Sequence, residues 1–243
     1  MNHGSVTHVS LFTGIGGIDL AAEWAGFTTI AQVERDPYCL AVLAKHWPDV
    51  LRCDDIHKFP DRDYGAVTLI SGGFPCQDIS ISGPRVGLDG ARSSLWFEYL
   101  RVIGEIRPAY ALVENVGALT FWGLGEILGG LTEIGYDSEW QNLRASDFGA
   151  PHKRERTWIV AYPSGVGFQE PRLKMREGAV ESFSCPTQSW PPRFTALADI
   201  PRRTDGIPHR MDRLRALGNA VVPQQVYPIL RAIAETEQGK VKK

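Results

Sequence analysis

Short apolar runs alternate with longer stretches of helical periodicity through roughly the first 160 residues. The apolar runs, which indicate strands, cover residues 6–12, 28–34, 67–71 and 110–114. The stretches with helical periodicity cover residues 18–25, 37–46, 95–106 and 124–134. Two further apolar runs, at 138–143 and 157–161, indicate additional strands. This alternation predicts an α/β fold built on a doubly wound, mostly parallel sheet.

The pattern becomes irregular after residue 161. Residues 162–210 are rich in Pro, Gly, Ser and Arg, which indicates either a small recognition module or a partly disordered insertion. Regular periodicity resumes near Met211 and ends in a helix over 226–235. We therefore expect a main domain at 1–161, a short irregular region at 162–210, and a C-terminal segment at 211–243 that returns to the main domain.

Composition is that of a globular protein. The 243 residues are 43% hydrophobic and 22% charged, enough for one domain with a small appendage. No apolar run approaches the roughly 20 residues of a membrane span, and the N-terminus lacks the features of a signal peptide. The four cysteines are scattered without a CxxC pair, so we expect no metal site and no disulfide framework. That cysteine usage favours the reducing cytoplasm.

Charge is unevenly distributed along the chain. Residues 144–243 contain 17 Lys and Arg against 10 Asp and Glu, a net +7, which leaves −9 for residues 1–143. A basic C-terminal part favours a polyanionic partner on that side, although a chance imbalance on a solvated surface would give the same count.

A glycine-rich loop follows the first strand. Phe12-Thr13-Gly14-Ile15-Gly16-Gly17 opens the first helix, where glycines permit a close approach to a ligand and the helix start offers free N–H groups. About 20 residues later, Glu34 ends the second strand and is suited to ribose hydroxyls. Asp55 and Ile56 follow in the third strand–helix unit. The carboxylate suits the amino group of an adenine, and the apolar side chain suits its ring face. The set predicts an adenosine ligand without a phosphate tail, and the alternative is an ordinary strand–helix turn.

A single cysteine follows the strand at 67–71. Gly72-Gly73-Phe74-Pro75-Cys76-Gln77 lies at the carboxyl end of that strand, where ligands and chemistry collect in open α/β sheets. Cys76 is therefore a candidate nucleophile, and the alternative is a small buried apolar residue.

Three further motifs complete the set. Glu114-Asn115-Val116 ends the strand at 110–114, residues 152–156 precede the strand at 157–161, and residues 217–223 precede the last helix. Together the motifs resemble those of the DNA cytosine-5 methyltransferases, in that family's order and over nearly the whole chain. Residues 12–17 match the cofactor loop, 73–77 the nucleophile loop, 114–116 the acid motif, 154–156 the basic motif and 218–220 the closing motif.

The resemblance implies a reaction and assigns roles. The Cys76 thiolate would add to C6 of cytosine, so that C5 can accept the methyl group of S-adenosyl-L-methionine. Glu114, its pKa raised by burial, would protonate N3. Arg154 and Arg156 would hold the base carbonyl and the nucleophile loop, and Arg156 would also raise the ionised fraction of the thiol. Asn115 would shape the loop rather than touch the substrate.

The resemblance also implies the cofactor contacts. Alongside Phe12, Gly14, Gly16, Gly17, Glu34, Asp55 and Ile56, it places Pro75 and Leu95 beside S-adenosyl-L-methionine. Asn219 of the closing motif would reach the methionine part. Residues 1–161 then become the catalytic and cofactor domain, and residues 162–210 a short target-recognition region.

Double-stranded DNA is the implied partner. The target base must leave the helix, at a cost that contacts from the basic part must offset. Candidate phosphate contacts are Arg193, Arg202, Arg203, Arg210, Arg213 and Arg215. We expect a monomer that serves restriction–modification or phage self-protection, with a cognate restriction endonuclease as partner in the first setting.

The sequence departs from the family pattern in two places. His152 and Lys153 stand where the family usually has Gln and Arg, and the recognition region is shorter than the family norm. A short region holds few base contacts, which predicts a short target or relaxed specificity. Two alternatives stay open: a tRNA cytosine-5 methyltransferase on the same fold, and a non-catalytic DNA-binding relative.

Overall fold

A single seven-stranded sheet organises the protein. The structure is a computed structural model and describes residues 6–75, 94–165 and 210–241. The strands are β1 Thr7–Leu11, β2 Thr28–Val33, β3 Leu51–Cys53, β4 Leu69–Gly72, β5 Tyr110–Val116, β6 Tyr136–Arg144 and β7 Glu155–Pro163. Their order across the sheet is β3-β2-β1-β4-β5-β7-β6. The five strands from β3 to β5 are parallel, whereas β7 pairs antiparallel with both β5 and β6. The prediction of a mostly parallel α/β sheet is confirmed.

Helices connect the strands and close the fold. They are α1 Gly17–Trp24, α2 Pro37–His46, α3 Ser94–Ile106, α4 Leu119–Trp122, α5 Leu124–Glu133, α6 Arg210–Asn219 and α7 Pro223–Val241. Single 3-10 turns occur at Ile56–Lys58 and Ala145–Phe148. The α2 start is strongly specified, since Pro37 occupies its first position and the Asp36 carboxylate accepts from two backbone amides. Gly26 and Gly135 follow α1 and α5 with φ of 91° and 79°, the left-handed conformation that ends helices.

Two apolar layers cover the two faces of the sheet. One face packs Val9, Leu11, Ile70 and Val113 against side chains of α3 and α5. The other face packs Leu69, Leu112 and Trp158 against α1 and α7. Alternate strand residues point to opposite faces, so each strand supplies both layers. The packing of α7 beside α1 brings the C-terminal end of the chain back to the start of the sheet.

A buried polar cluster lies between the sheet and α1. The Asp19 carboxylate accepts hydrogen bonds from Ser10 Oγ and Gln32 Nε2, both at 2.8 Å. Burial raises the pKa of Asp19 to about 6, and these two hydrogen bonds oppose the shift. Nearby, His8 Nε2 lies 2.7 Å from Ser71 Oγ, and burial lowers the pKa of His8 to about 3, so its ring is neutral. Asp19 is thus a buried acid in the first turn of the helix that follows the glycine loop.

Apart from residues 162–165 and Arg210, the predicted recognition region at 162–210 lies outside the described residues, as do Cys76 and Gln77. The division of the chain at 161 and 210 therefore stays a prediction.

Candidate active site

The glycine loop turns sharply between β1 and α1. Phe12, Gly14 and Gly16 have φ of 50°, 59° and 85°, and Thr13 N donates to Val33 O at 3.1 Å. A side chain at position 16 would overlap the Trp47 ring, and its left-handed backbone also favours glycine. The Phe12 ring stacks on Tyr99 at a centroid distance of 6.2 Å.

Glu34 fastens this loop from the neighbouring strand. Its Oε2 accepts from Gly14 N and its Oε1 from Asp36 N, both at 2.7 Å. A carboxylate oxygen has two lone pairs, so each Glu34 oxygen can still accept from a hydroxyl. The carboxylate that the sequence assigns to ribose is therefore held in a fixed orientation beside the loop.

A cavity opens next to Glu34. Its volume is about 480 Å³, within the range of small-molecule sites. It is lined by Phe12, Val33, Glu34, Arg35, Asp54, Asp55, Ile56, His57 and Lys58. The Asp55 side chain accepts from His57 N at 3.1 Å and so caps the 3-10 turn that presents buried Ile56. The structure brings together Phe12, Glu34, Asp55 and Ile56, and an apolar wall with a carboxylate at its rim fits an adenosine group.

The nucleophile loop begins at the end of β4. Phe74 is buried, Pro75 is exposed, and Asn115 Nδ2 donates to Phe74 O at 3.3 Å. This bond is the loop-shaping contact expected of Asn115, which is itself only 2% exposed. Cys76 lies outside the described residues. Leu95, half-buried in the first turn of α3, packs against the core layer that also contains Ile56.

A buried ion pair occupies the edge of the sheet beside this loop. Arg156 Nε lies 2.8 Å from Glu114 Oε1, and the two side chains are only 17% and 13% exposed. Burial raises the pKa of Glu114, and the positive charges of Arg156 and Arg154 oppose that rise. The close approach of Gly73 leaves room only for a hydrogen there, because a Cβ would overlap Glu114 Oε2. The acid and the loop that carries the cysteine are therefore neighbours.

The Arg154 side chain contacts the closing motif. Its Nη2 donates to Gly218 O at 2.9 Å and to Ala220 O, and its φ is 34°. Burial, followed by the charge of Arg156, lowers the pKa of Arg154. Arg154 is thus close enough to Glu114 to act on its charge, but its hydrogen bonds go to the closing motif.

The closing motif reaches the cofactor loop. Val221 O would lie 2.7 Å from a Cβ at position 17, so the backbone of this segment packs directly on Gly17. Asn219, the last residue of α6, is exposed. Arg215 of α6 pairs with Asp36 at 2.7 Å, so a residue predicted to contact phosphate has an acidic partner within the protein.

Two residues with a structural part in this site were not predicted from the sequence. Asp36 caps α2, donates its backbone N–H to Glu34 and pairs with Arg215; its position before Pro37 was a recognisable cap signal. Gln225 is completely buried behind Arg154, and no local pattern distinguishes it from the exposed polar residues of a helix.

Comparison with known proteins identifies the family. Residues 6–204 match the family described as C-5 cytosine-specific DNA methylase. The chain belongs to this family. S-adenosyl-L-methionine is the methyl donor of the family, in agreement with the cavity beside Glu34.

Individual relatives are bacterial Type II methyltransferases. The chain is 34% identical to the Type II methyltransferase M.AquIA of Picosynechococcus over 184 residues, 67% of this chain and 74% of that protein. It is 38% identical to the Type II methyltransferase M2.BsuMI of Bacillus subtilis over 161 residues, 63% of this chain but 41% of the relative. The chain therefore spans less than half the length of this second relative.

Solved structures agree on the fold. A putative DNA modification methyltransferase from an E. coli prophage superposes with a TM-score of 0.55 at 27% identity, over 65% of this chain and 47% of that one. The S. pombe Dnmt2 methyltransferase superposes with a TM-score of 0.55 over 72% of this chain and 58% of that one. Its 23% identity supports the shared fold alone. Among the described residues, no helix is both long and apolar enough to cross a membrane.

Proposed function

We propose that this protein methylates C5 of cytosine in double-stranded DNA, with S-adenosyl-L-methionine as donor and Cys76 as the nucleophile. The observation that carries the proposal is the buried Glu114–Arg156 pair beside the loop that leads to Pro75 and Cys76. A carboxyl group held there by an arginine, rather than exposed at a strand end, suits proton transfer to a bound base.

The protein's own residues perform the proton and bond changes. As the Cys76 thiolate forms a bond to C6, electrons shift through the ring to N3, and Glu114 supplies the proton that N3 takes up. The bound cofactor supplies an electrophilic methyl group on a sulfonium, which C5 can then attack. N3 then returns its proton to Glu114, the C5 proton passes to a base, and the thiolate leaves C6, which together restore the aromatic ring and the free enzyme.

Positive charge near the loop favours the reactive form of the thiol. A free cysteine with a pKa near 8.5 is only a few per cent ionised at neutral pH. Arg156 is bound to Glu114 through Nε, and its Nη1 donates to Glu155 O, so the guanidinium is fixed in place. We assign Arg156 the task of orienting Glu114 and favouring the thiolate, and Arg154 that of holding the closing motif.

The proposed cofactor site lies at the carboxyl ends of β1, β2 and β3, on the far side of β4 from Glu114. Glu34 would accept from the ribose hydroxyls, while Phe12 and Ile56 would flank the adenine and Asp55 would accept from its amino group. Pro75 and Leu95 would line the site, and Asn219 would contact the methionine part. Gly14, Gly16 and Gly17 allow the close backbone approach that this placement requires.

The DNA would present a base flipped out of the duplex, because C5 chemistry needs access that base stacking denies. We propose a monomer that works in the cytoplasm, in a restriction–modification or phage self-protection setting, with a cognate endonuclease in the first. The bacterial Type II relatives support a modification role. The short region at 162–210 supports a short or relaxed target.

Labelled methyl transfer tests the proposal. Wild-type protein with labelled S-adenosyl-L-methionine should label duplex DNA and leave tRNA unlabelled, and Cys76→Ser should abolish labelling while still binding S-adenosylhomocysteine. Transfer to tRNA alone would support an RNA substrate instead, and unchanged transfer by Cys76→Ser would contradict the mechanism. Bisulfite sequencing of DNA from expressing cells then maps the target, and strict methylation of one six-base site would contradict relaxed specificity.

A further inference from the structure

Gln225 is a fully buried polar side chain in the first turn of α7, outside every motif described above. Its Nε2 donates to two backbone carbonyls, Leu143 O at 2.7 Å and Arg154 O at 3.1 Å. Leu143 lies near the end of β6, and Arg154 lies immediately before β7. One amide group therefore holds both ends of the connection between these two strands.

The Arg154 side chain makes the return connection. Gln225 binds the backbone of Arg154, and Arg154 Nη2 binds the backbone of the closing motif at Gly218 and Ala220. We call these bonds the reciprocal clamp. With φ of 34°, Arg154 has a conformation that non-glycine residues rarely adopt and that surrounding contacts must maintain. The bond from Gln225 to its carbonyl is one such contact.

The reciprocal clamp lies between the two halves of the site. On one side, the closing motif continues into Val221, whose carbonyl packs on Gly17 of the cofactor loop. On the other side, Arg156 follows Arg154 by two residues and pairs with Glu114. A displacement of Arg154 would therefore change the positions of both the cofactor loop and the Glu114–Arg156 pair.

The hydrogen-bond donor is the part of Gln225 that matters. Two carbonyl acceptors require an NH₂ group, which among side chains of this length glutamine provides without charge. In the part of the chain that the structure describes, Gln225 Oε1 has no hydrogen-bond partner. An apolar residue of similar size would fill the space but would remove the donor that both carbonyls share.

We infer that Gln225 is a positioning residue that sets the closing motif against the cofactor loop by fixing Arg154. The identity of the cofactor in this inference rests on the proposed function. The consequence is specific: removal of the Gln225 donor weakens cofactor binding beyond what the same loss of stability elsewhere in α7 would cause.

Calorimetric titration of S-adenosylhomocysteine into the full chain tests this inference. Gln225→Leu is expected to raise the Kd about tenfold, which equals about 1.4 kcal/mol, at a temperature where circular dichroism shows the variant folded. Gln225→Met, which suits a helix and is more flexible, serves as the second variant if Gln225→Leu does not fold. Ile233→Ala, also buried on α7, is the control for lost stability and should leave the Kd unchanged.

A double-mutant cycle separates positioning from general stability. If Gln225 acts through Arg154, the Arg154→Ala and Gln225→Leu double variant should bind S-adenosylhomocysteine no more weakly than Arg154→Ala alone. Additive losses, or a Kd for Gln225→Leu equal to that of the Ile233→Ala control, would overturn the inference. Methyl transfer by the wild type is scored separately: a wild type that binds S-adenosylhomocysteine but methylates no cytosine contradicts the proposed function, and the binding cycle still decides the role of Gln225.

Discussion

Replacement of Asp19 by asparagine should change how stability depends on pH. Asp19 is fully buried beneath the cofactor helix, and its pKa rises from 3.8 to about 6 on folding. Because the folded pKa is the higher one, the folded state keeps a proton that the unfolded chain releases. The contribution of Asp19 to the free energy of unfolding is therefore fully present below about pH 4 and is lost as pH rises through about 6.

The size of the effect follows from that difference. A shift of about 2 units at about 1.4 kcal/mol each corresponds to a penalty of about 3 kcal/mol for keeping Asp19 ionised above pH 6. In Asp19→Asn the amide can accept from Gln32 Nε2, and the Ser10 hydroxyl can turn to accept from the new NH₂ group. As pH rises from 4 to 7, the free energy of unfolding of the variant should therefore increase relative to that of the wild type by up to about 3 kcal/mol.

Urea unfolding of both proteins at several pH values between 4 and 8 measures this difference directly, because other titrating groups cancel. Asp61→Asn is the control: this exposed carboxylate has its pKa lowered to about 2 by Arg62 and Tyr64, so its neutralisation should bring no gain at high pH. A difference between Asp19→Asn and wild type that stays constant from pH 4 to pH 8 would refute the reasoning.

Three further predictions concern the site. Glu114→Gln should lower kcat about 10²-fold or more while the Kd for S-adenosylhomocysteine stays unchanged, and an equal loss of cofactor binding would contradict the role assigned to Glu114. In the wild type, kcat should fall as pH rises through the raised pKa of Glu114. Gly17→Ala should displace the closing motif, because the new Cβ would meet Val221 O, and should raise that Kd in calorimetry, whereas Gly129→Ala, with open space around it, should not. Arg215→Ala should leave the salt dependence of DNA binding unchanged, since its partner is an acidic side chain of the protein; a slope smaller by about 1 in a log–log plot would instead identify a phosphate contact.

The regular elements were predictable where local and long-range signals agree. The helix predicted at 37–46 matches α2 at both ends, because an aspartate cap and a first-turn proline define its start. By contrast, β3 has only three residues at the edge of the sheet, too few for a periodic pattern. The short helix α4 was missed for the same reason.

The site was predictable as a set of residue types but not as a set of contacts. The spacing of the motifs placed Glu114 and the arginines at one edge of the sheet, and the structure pairs Arg156 with Glu114. The spacing of the motifs could not reveal that the Arg154 side chain binds the closing motif. Arg154 has a positive φ just before β7, and this breaks the alternation of side-chain directions expected of a strand. The role of Gln225 depends on acceptors 71 and 82 residues away, which no local pattern encodes.

Because β7 pairs antiparallel with β5 in a fixed register, this chain should tolerate length changes outside β7 but not within it. Val116 of β5 is opposite Arg156, and Glu114 is opposite Trp158. A one-residue deletion within β7, after Arg156, would move Glu155 into the place of Arg156, opposite Val116, and put a second carboxylate where the arginine now pairs with Glu114. A residue added to the exposed turn before Arg154 would leave that pairing intact. Length variation among homologues should therefore collect in the connection and be excluded from the strand.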